Sequence, residues 1–168
     1  MPLLAAAGEP DIAAELREGH ELNGRDYRVH VDGFNQLDYL TGGVDESPRF
    51  YFFYATGDGD LTALRLCHWK FVFLEQRRTG TLGAWQEPFV DLRMPKIFNL
   101  RTDPYERADI TSNTYYDWML DHLFLFVPAQ AIVAEHLQTL IEFPPRQEPA
   151  SFSIDKVLEK LQASFTSD

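Results

Sequence analysis

Four residues in one stretch have the chemistry to recognise an anion on a ring: Arg77, Arg78, Trp85 and Arg93. An arginine fork can hold two oxygens of a sulfate or phosphate, and an indole can stack on an aromatic ring. All four fall in or beside a segment, residues 76–95, that shows no regular pattern and reads as a long loop of special role. They are the candidate residues for a substrate rim. Other pairs carry less. Asp58-Gly59-Asp60 has the start of a calcium loop, but Thr62 and Trp69 stand where the next ligand and the closing glutamate belong, so it reads as a hairpin turn. His30 and Asp32 share a strand face, with no third partner to complete a metal site; they read as a hydrogen-bonded pair. Cys67-His68 reads as a turn with a half-buried thiol. Asp121-His122 and Glu135-His136 are sequence neighbours that diverge around a helix, and read as solvated or capping groups.

The chain that must position these groups has 168 residues, enough for one domain with a moderate core. Its 45% hydrophobic and 14% aromatic content argues against disorder. A net charge of −11 argues against nucleic acid or an anionic membrane as partner. The single cysteine excludes an internal disulfide and a multi-cysteine zinc site. The most lipid-like stretch, Leu123 to Ala134, contains Pro128 and Gln130 and falls short of the ~20 residues of a spanning helix, so no span is expected.

Residues 1–7 read as the end of a helix that begins without a cap, as in a piece of a longer protein, and Gly8 stops it. A second short helix runs from Pro10 to Gly19. Tyr27 to Asp32 alternates as an edge-like strand, and Asn35 to Thr41 as a helix closed by Gly42-Gly43. Phe50–Tyr54, Leu61–Leu66, Lys70–Glu75 and Ile97–Leu100 predict a small antiparallel sheet of about four strands. After it, Asp103-Pro104-Tyr105-Glu106 has capping-box chemistry: Asp103 to accept from the next turn, Pro104 at the first helical position, Glu106 at the third. Tyr116, Met119, Leu120, Leu123 and Phe124 recur at helical spacing; Pro128 starts or kinks a second segment ending near Phe143, and Pro144-Pro145 closes it. A last helix is expected from Ser153, with Val157, Leu158 and Leu161 buried. The fold class is α+β, a small sheet packed with C-terminal helices. The aromatic run Tyr115 to Phe126 reads as core packing, with a docking face for another domain as the alternative.

Several of these pieces, in order, resemble the sulfatase family. Pro2-Leu3-Leu4 with Ala7-Gly8 resembles the Pro-Thr-Leu-Leu helix that follows the catalytic core, without its Thr. Asp32-Gly33 with Leu37, Leu40 and Gly42 resembles an Asp-Gly-x-x-Leu-x-x-x-Leu-x-Gly element. Arg49 to Tyr54, Ala63-x-Arg65 and Trp69-Lys70 resemble the paired strands of the C-terminal sheet, and Phe98 to Glu106 resembles the signature ending in Asp-Pro-x-Glu. Tyr115-Tyr116-Asp117-Trp118 and Phe143-Pro144-Pro145-Arg146-Gln147 look like the tail of a bacterial arylsulfatase subgroup.

The resemblance implies the C-terminal region of a bacterial arylsulfatase, a sulfuric ester hydrolase of the alkaline-phosphatase-like superfamily, with the catalytic part absent. Residues 1–45 would be the end of a core helix and a connection, 46–112 the sheet with its loop, and 113–168 a helical tail. The family's Cys-x-Pro-Ser-Arg is not matched by Cys67, which precedes His68, Trp69, Lys70 and Phe71. No catalytic or metal residue carries over. The parent enzyme is expected to need calcium and a formylglycine, and periplasm or secretion is open to it. The expected partner is the missing catalytic domain, or a second copy through exposed apolar helices. Two rival readings are a free-standing binding or assembly module and the tail of a phosphodiesterase or phosphonate hydrolase.

Overall fold

A computed structural model describes residues 1–76, 78, 80 and 82–144. Two short helices, α1 (Pro2–Ala6) and α2 (Ile12–Glu18), open the chain as the glycines at positions 8 and 19 suggested. The next expectation needs correction. No strand occupies residues 28–32. The strands are β1 (His20–Leu22) and β2 (Arg25–Tyr27), an antiparallel hairpin. Its two-residue turn is Asn23-Gly24, both at positive φ (53° and 74°), the geometry that matches hairpin twist. Asn-Gly pulls the pairing upstream of the alternating residues. Those then find other partners: the Val29 N–H donates to the Leu16 carbonyl at 2.9 Å, and Arg28 lies over the Phe143 ring. Helix α3 (Leu37–Leu40) follows, as expected.

Strands β3 (Tyr51–Ala55), β4 (Leu61–Leu66), β5 (Trp69–Glu75) and β6 (Val90–Asn99) form a four-stranded antiparallel sheet in sequential order. Thr56 closes the first hairpin by accepting from the amides of Asp58 and Asp60, so the Asp-Gly-Asp segment is a turn, as read. Cys67 and His68 link β4 to β5, with Cys67 at φ 53°. The expected loop over 76–95 is shorter than that. Helix α4 (Gly83–Gln86) lies within it and β6 begins at Val90. Pro95 ended the sequence pattern because proline cannot donate to a ladder. It is accommodated on an edge strand, where the register slips between Val72 and Leu74.

Successive rows of the sheet point to opposite sides. Phe53, Leu64, Phe71 and Ile97 pair across all four strands and make one row. Leu64, Phe71 and Ile97 are fully buried, under Tyr115 and Met119 of α6 (Tyr115–Asp121) and Ala129 of α7 (Phe126–Glu142). The adjacent row is Phe52, Arg65, Lys70 and Phe98. Its first three members face away from the first row, whereas Phe98, on the edge strand, stacks on Tyr115 and is buried in the same core cluster. Tyr115 seals the free edge of β6. Its hydroxyl accepts from the Ile97 N–H at 3.2 Å and donates to the Ile97 carbonyl at 3.0 Å. At Ile97 the outward-facing strand edge is thereby closed to pairing with other chains.

A 3-10 turn, Leu123–Leu125, joins α6 to α7, so the helical run Leu123–Glu142 reaches 20 residues. It is longer than the Leu123–Ala134 stretch the sequence suggested. By length and composition it would suffice to cross a membrane, though one such helix is weak evidence. Pro128 sits in the first turn of α7, where its missing N–H has no intrahelical partner to lose. Ile132 and Val133 pack against the core. The helix expected from Ser153, and Pro145 before it, lie outside the described residues.

Candidate functional site

The row Phe52–Arg65–Lys70 gathers charge and aromatic surface on the side of the sheet away from the helical core. Strand alternation puts these side chains together although they come from three segments. The Arg49 guanidinium lies 4.6 Å above the Phe52 ring centroid. Phe52 meets Tyr54, the next residue on its face, edge to face at 4.7 Å. The Lys70 ammonium lies 4.7 Å above the Tyr54 ring. Arg65, between Phe52 and Lys70 in register, donates from Nε to the Cys67 carbonyl at 3.0 Å. Two of the three cations therefore rest on aromatic faces, an arrangement worth about 0.5–1 kcal/mol each where exposed.

Lys70 is anchored from outside the sheet. Its ammonium donates to both carboxylate oxygens of Glu106, at 2.6 and 2.7 Å. Glu106 reaches it from the left-handed region, φ 54°, which a non-glycine residue rarely adopts. The capping box is thus corrected. Asp103 does cap, but one turn later: its two oxygens accept from the amides of Arg107 (3.0 Å) and Ala108 (2.8 Å), at the start of α5 (Ala108–Thr111). Pro104 and Glu106 lie in the preceding turn, so Glu106 is released from backbone capping to bind Lys70.

Along β6, Lys96 donates to Asp109 at 2.7 Å and to Glu75. Burial works against its charge, but the bonds to Asp109 and Glu75 outweigh it and raise its pKa above the ordinary lysine value. Burial pushes the Tyr115 phenol up to about 12, with the bond to the Ile97 backbone opposing and Asp109 adding to the rise.

A groove of about 630 Å³ opens beside β3, lined by Glu46, Arg49, Phe52, Tyr54, Arg65 and Cys67 among others. Among the described residues, none of the rim candidates Arg78, Trp85 and Arg93 lines it. Arg77 lies outside the described residues. Arg78 sits against Gly83, Trp85 is 90% exposed, and Arg93 is an exposed position of β6. The remaining candidates are placed plainly. His30 Nε2 lies 3.1 Å from Asp32, the pair the sequence suggested. Cys67 is exposed rather than half-buried. Asp121 and Glu135 are exposed and His122 caps α6, as read, while both imidazoles are half-buried. His122 packs on Trp118 with Nδ1 2.7 Å from the Trp118 carbonyl oxygen, and His136 stacks on Phe53 at 4.0 Å. The polar row escaped the sequence reading because Glu106 is 36 residues from Lys70. Only the alternation Phe52-Phe53-Tyr54 against Leu64-Arg65-Leu66 hinted at it.

These residues do not fit the calcium or formylglycine of a sulfatase centre. Cys67 stands in a tight left-handed turn and its following residues do not match the modification signature. Among the described residues no group of three or more His, Cys, Asp or Glu is placed to hold a metal.

A four-stranded antiparallel sheet with one helical layer and a polar row on its other side defines an α+β domain of the kind that ends sulfatases. Residues 46–165 match the family described as the C-terminal region of aryl-sulfatase, and the chain belongs to that family. Among solved structures the chain is similar to the PsFucS1 sulfatase from Pseudoalteromonas sp., at 23% identity and a TM-score of 0.42, over 61% of this chain and 19% of that one. The chain thus spans about a fifth of that protein's length. The comparison with curated proteins gave no match.

Proposed function

We propose that this chain is the non-catalytic C-terminal domain of a sulfuric ester hydrolase, docking on a catalytic domain that carries the formylglycine and calcium. The observation that carries this reading is an apolar seam that has no packing partner among the described residues. Phe124, Val127, Ala131, Ala134 and Ile141 recur at alternating spacings of three and four along the helical run, with Gln138 in the one polar position. All are exposed, Phe124 at 66%, Val127 at 72% and Ile141 at 73%. The seam lies opposite Ala129, Ile132 and Val133, which pack on the sheet. Strict spacing with small residues in the middle is how a helix prepares to receive another apolar surface. Trp85, with Arg78, Arg93 and Arg77, would border the substrate cleft of the assembled enzyme.

The test is to co-express the chain with an aryl-sulfatase catalytic domain lacking its own C-terminal region. Expected is a one-to-one complex that is lost with Val127→Asp, and no aryl-sulfate hydrolysis by the chain alone. Hydrolysis by the isolated chain, or no complex with any catalytic domain of the family, would overturn the reading.

A further inference from the structure

We propose that the groove beside β3 is a binding site for an oxyanion carried on a sugar or aryl ring. Its two halves are already complementary to such a ligand. Arg49 and Arg65 flank Phe52, one stacked above its ring and one beside it in register. Among the described residues no ion pair joins either guanidinium to a carboxylate. Lys70, the third cation of the row, is neutralised by Glu106. The two arginines are therefore the charges left to meet a ligand on this side of an otherwise acidic domain. Guanidinium forks suit the oxygen pairs of sulfate, phosphate or carboxylate. Phe52 is 39% exposed and Tyr54 half-buried, which leaves aromatic surface beside the stacked cations for a sugar or aryl group. The groove volume, about 630 Å³, suits one such ring. Glu46 is the opposing element: it lines the same groove, and its negative charge works against an anion. Trp85, Arg78 and Arg93 do not line this groove.

Cys67 lines the groove, is exposed and is the only cysteine, so its alkylation rate reports occupancy. The measurement titrates the full chain with glucose 6-sulfate and follows both Cys67 alkylation and amide shifts. Parallel arms use inorganic sulfate, glucose, glucose 6-phosphate and glucuronate. Expected is saturable protection of Cys67 by the anionic rings, tighter than by sulfate or glucose alone. Arg49→Ala and Arg65→Ala should each weaken it by about tenfold, with Arg65→Lys recovering part. Glu46→Gln should tighten it, a gain that unfolding cannot mimic; circular dichroism checks the other variants. Equal affinity in wild type and Arg49→Ala, shifts centred on Trp85 instead, or no saturable binding of any anionic ring would overturn the proposal. Its failure would leave the docking reading standing, because docking is read from complex formation through Val127.

Discussion

Lys70 and Glu106, 36 residues apart in sequence, form a two-pronged ion pair that ties the turn after the sheet back onto the sheet. Both side chains are mostly covered, 16% and 29% exposed. Removing one partner leaves the other in a poorly hydrated place, which costs more than the net worth of the pair. Glu106→Ala should therefore destabilise the domain by about 1–3 kcal/mol. Lys70→Met with Glu106→Ala together should cost less than the sum of the single changes. Urea unfolding of the four proteins measures this; additive losses would mean that the two residues do not interact.

Tyr115 makes stability fall at high pH. Its phenol titrates near 12 in the fold and near 10 when unfolded, so the unfolded chain loses its proton first. The contribution is whole below pH 10 and drains away as pH rises toward 12, by about 2–3 kcal/mol. Lys96, also raised, adds loss in the same direction as pH climbs through its folded value. Tyr115→Phe should lower neutral-pH stability by about 1–3 kcal/mol, because the Ile97 N–H and carbonyl lose their partner. It should also flatten the alkaline limb, leaving the share from Lys96. Stability curves from pH 7 to 12 check both; an unchanged slope would contradict the assignment.

If the exposed seam is a docking surface, the isolated domain should self-associate. Sedimentation velocity should show a concentration-dependent rise in mass that Val127→Asp or Ile141→Asp removes. A monomer at high concentration, unchanged by these substitutions, would mean the seam is not a docking surface.

If Trp85 borders the substrate cleft, Trp85→Ala in the assembled enzyme should raise KM for aryl sulfates by about fivefold, the loss of one stacking contact of about 1 kcal/mol, with kcat little changed. Arg78→Ala should act in the same direction. Unaltered kinetics in both would remove the rim role.

Much of the fold was legible where local chemistry acts alone. Asp58-Gly59-Asp60 and Cys67-His68 announce tight turns, and the strands beside them alternate clearly. Where a distant partner decides, the sequence misled. Arg28 to Asp32 alternates like a strand, but its neighbours α2 and Phe143 offer backbone and ring contacts in place of a ladder. Pro95 hid the first half of β6, since the bulge that tolerates it depends on β5. Glu106 has capping-box spacing, but Lys70 and a left-handed turn claim it. The groove was invisible for the same reason: its arginines are 16 positions apart in sequence, Arg49 and Arg65, and only strand pairing brings them to one ring.

The most direct test of the central claim, that this domain completes a sulfatase, is to sequence the source DNA upstream of Met1 in frame. Expected is an open frame carrying Cys-x-Pro-Ser-Arg and the acidic residues of a calcium site. A stop codon followed by a start signal just before Met1 would contradict it.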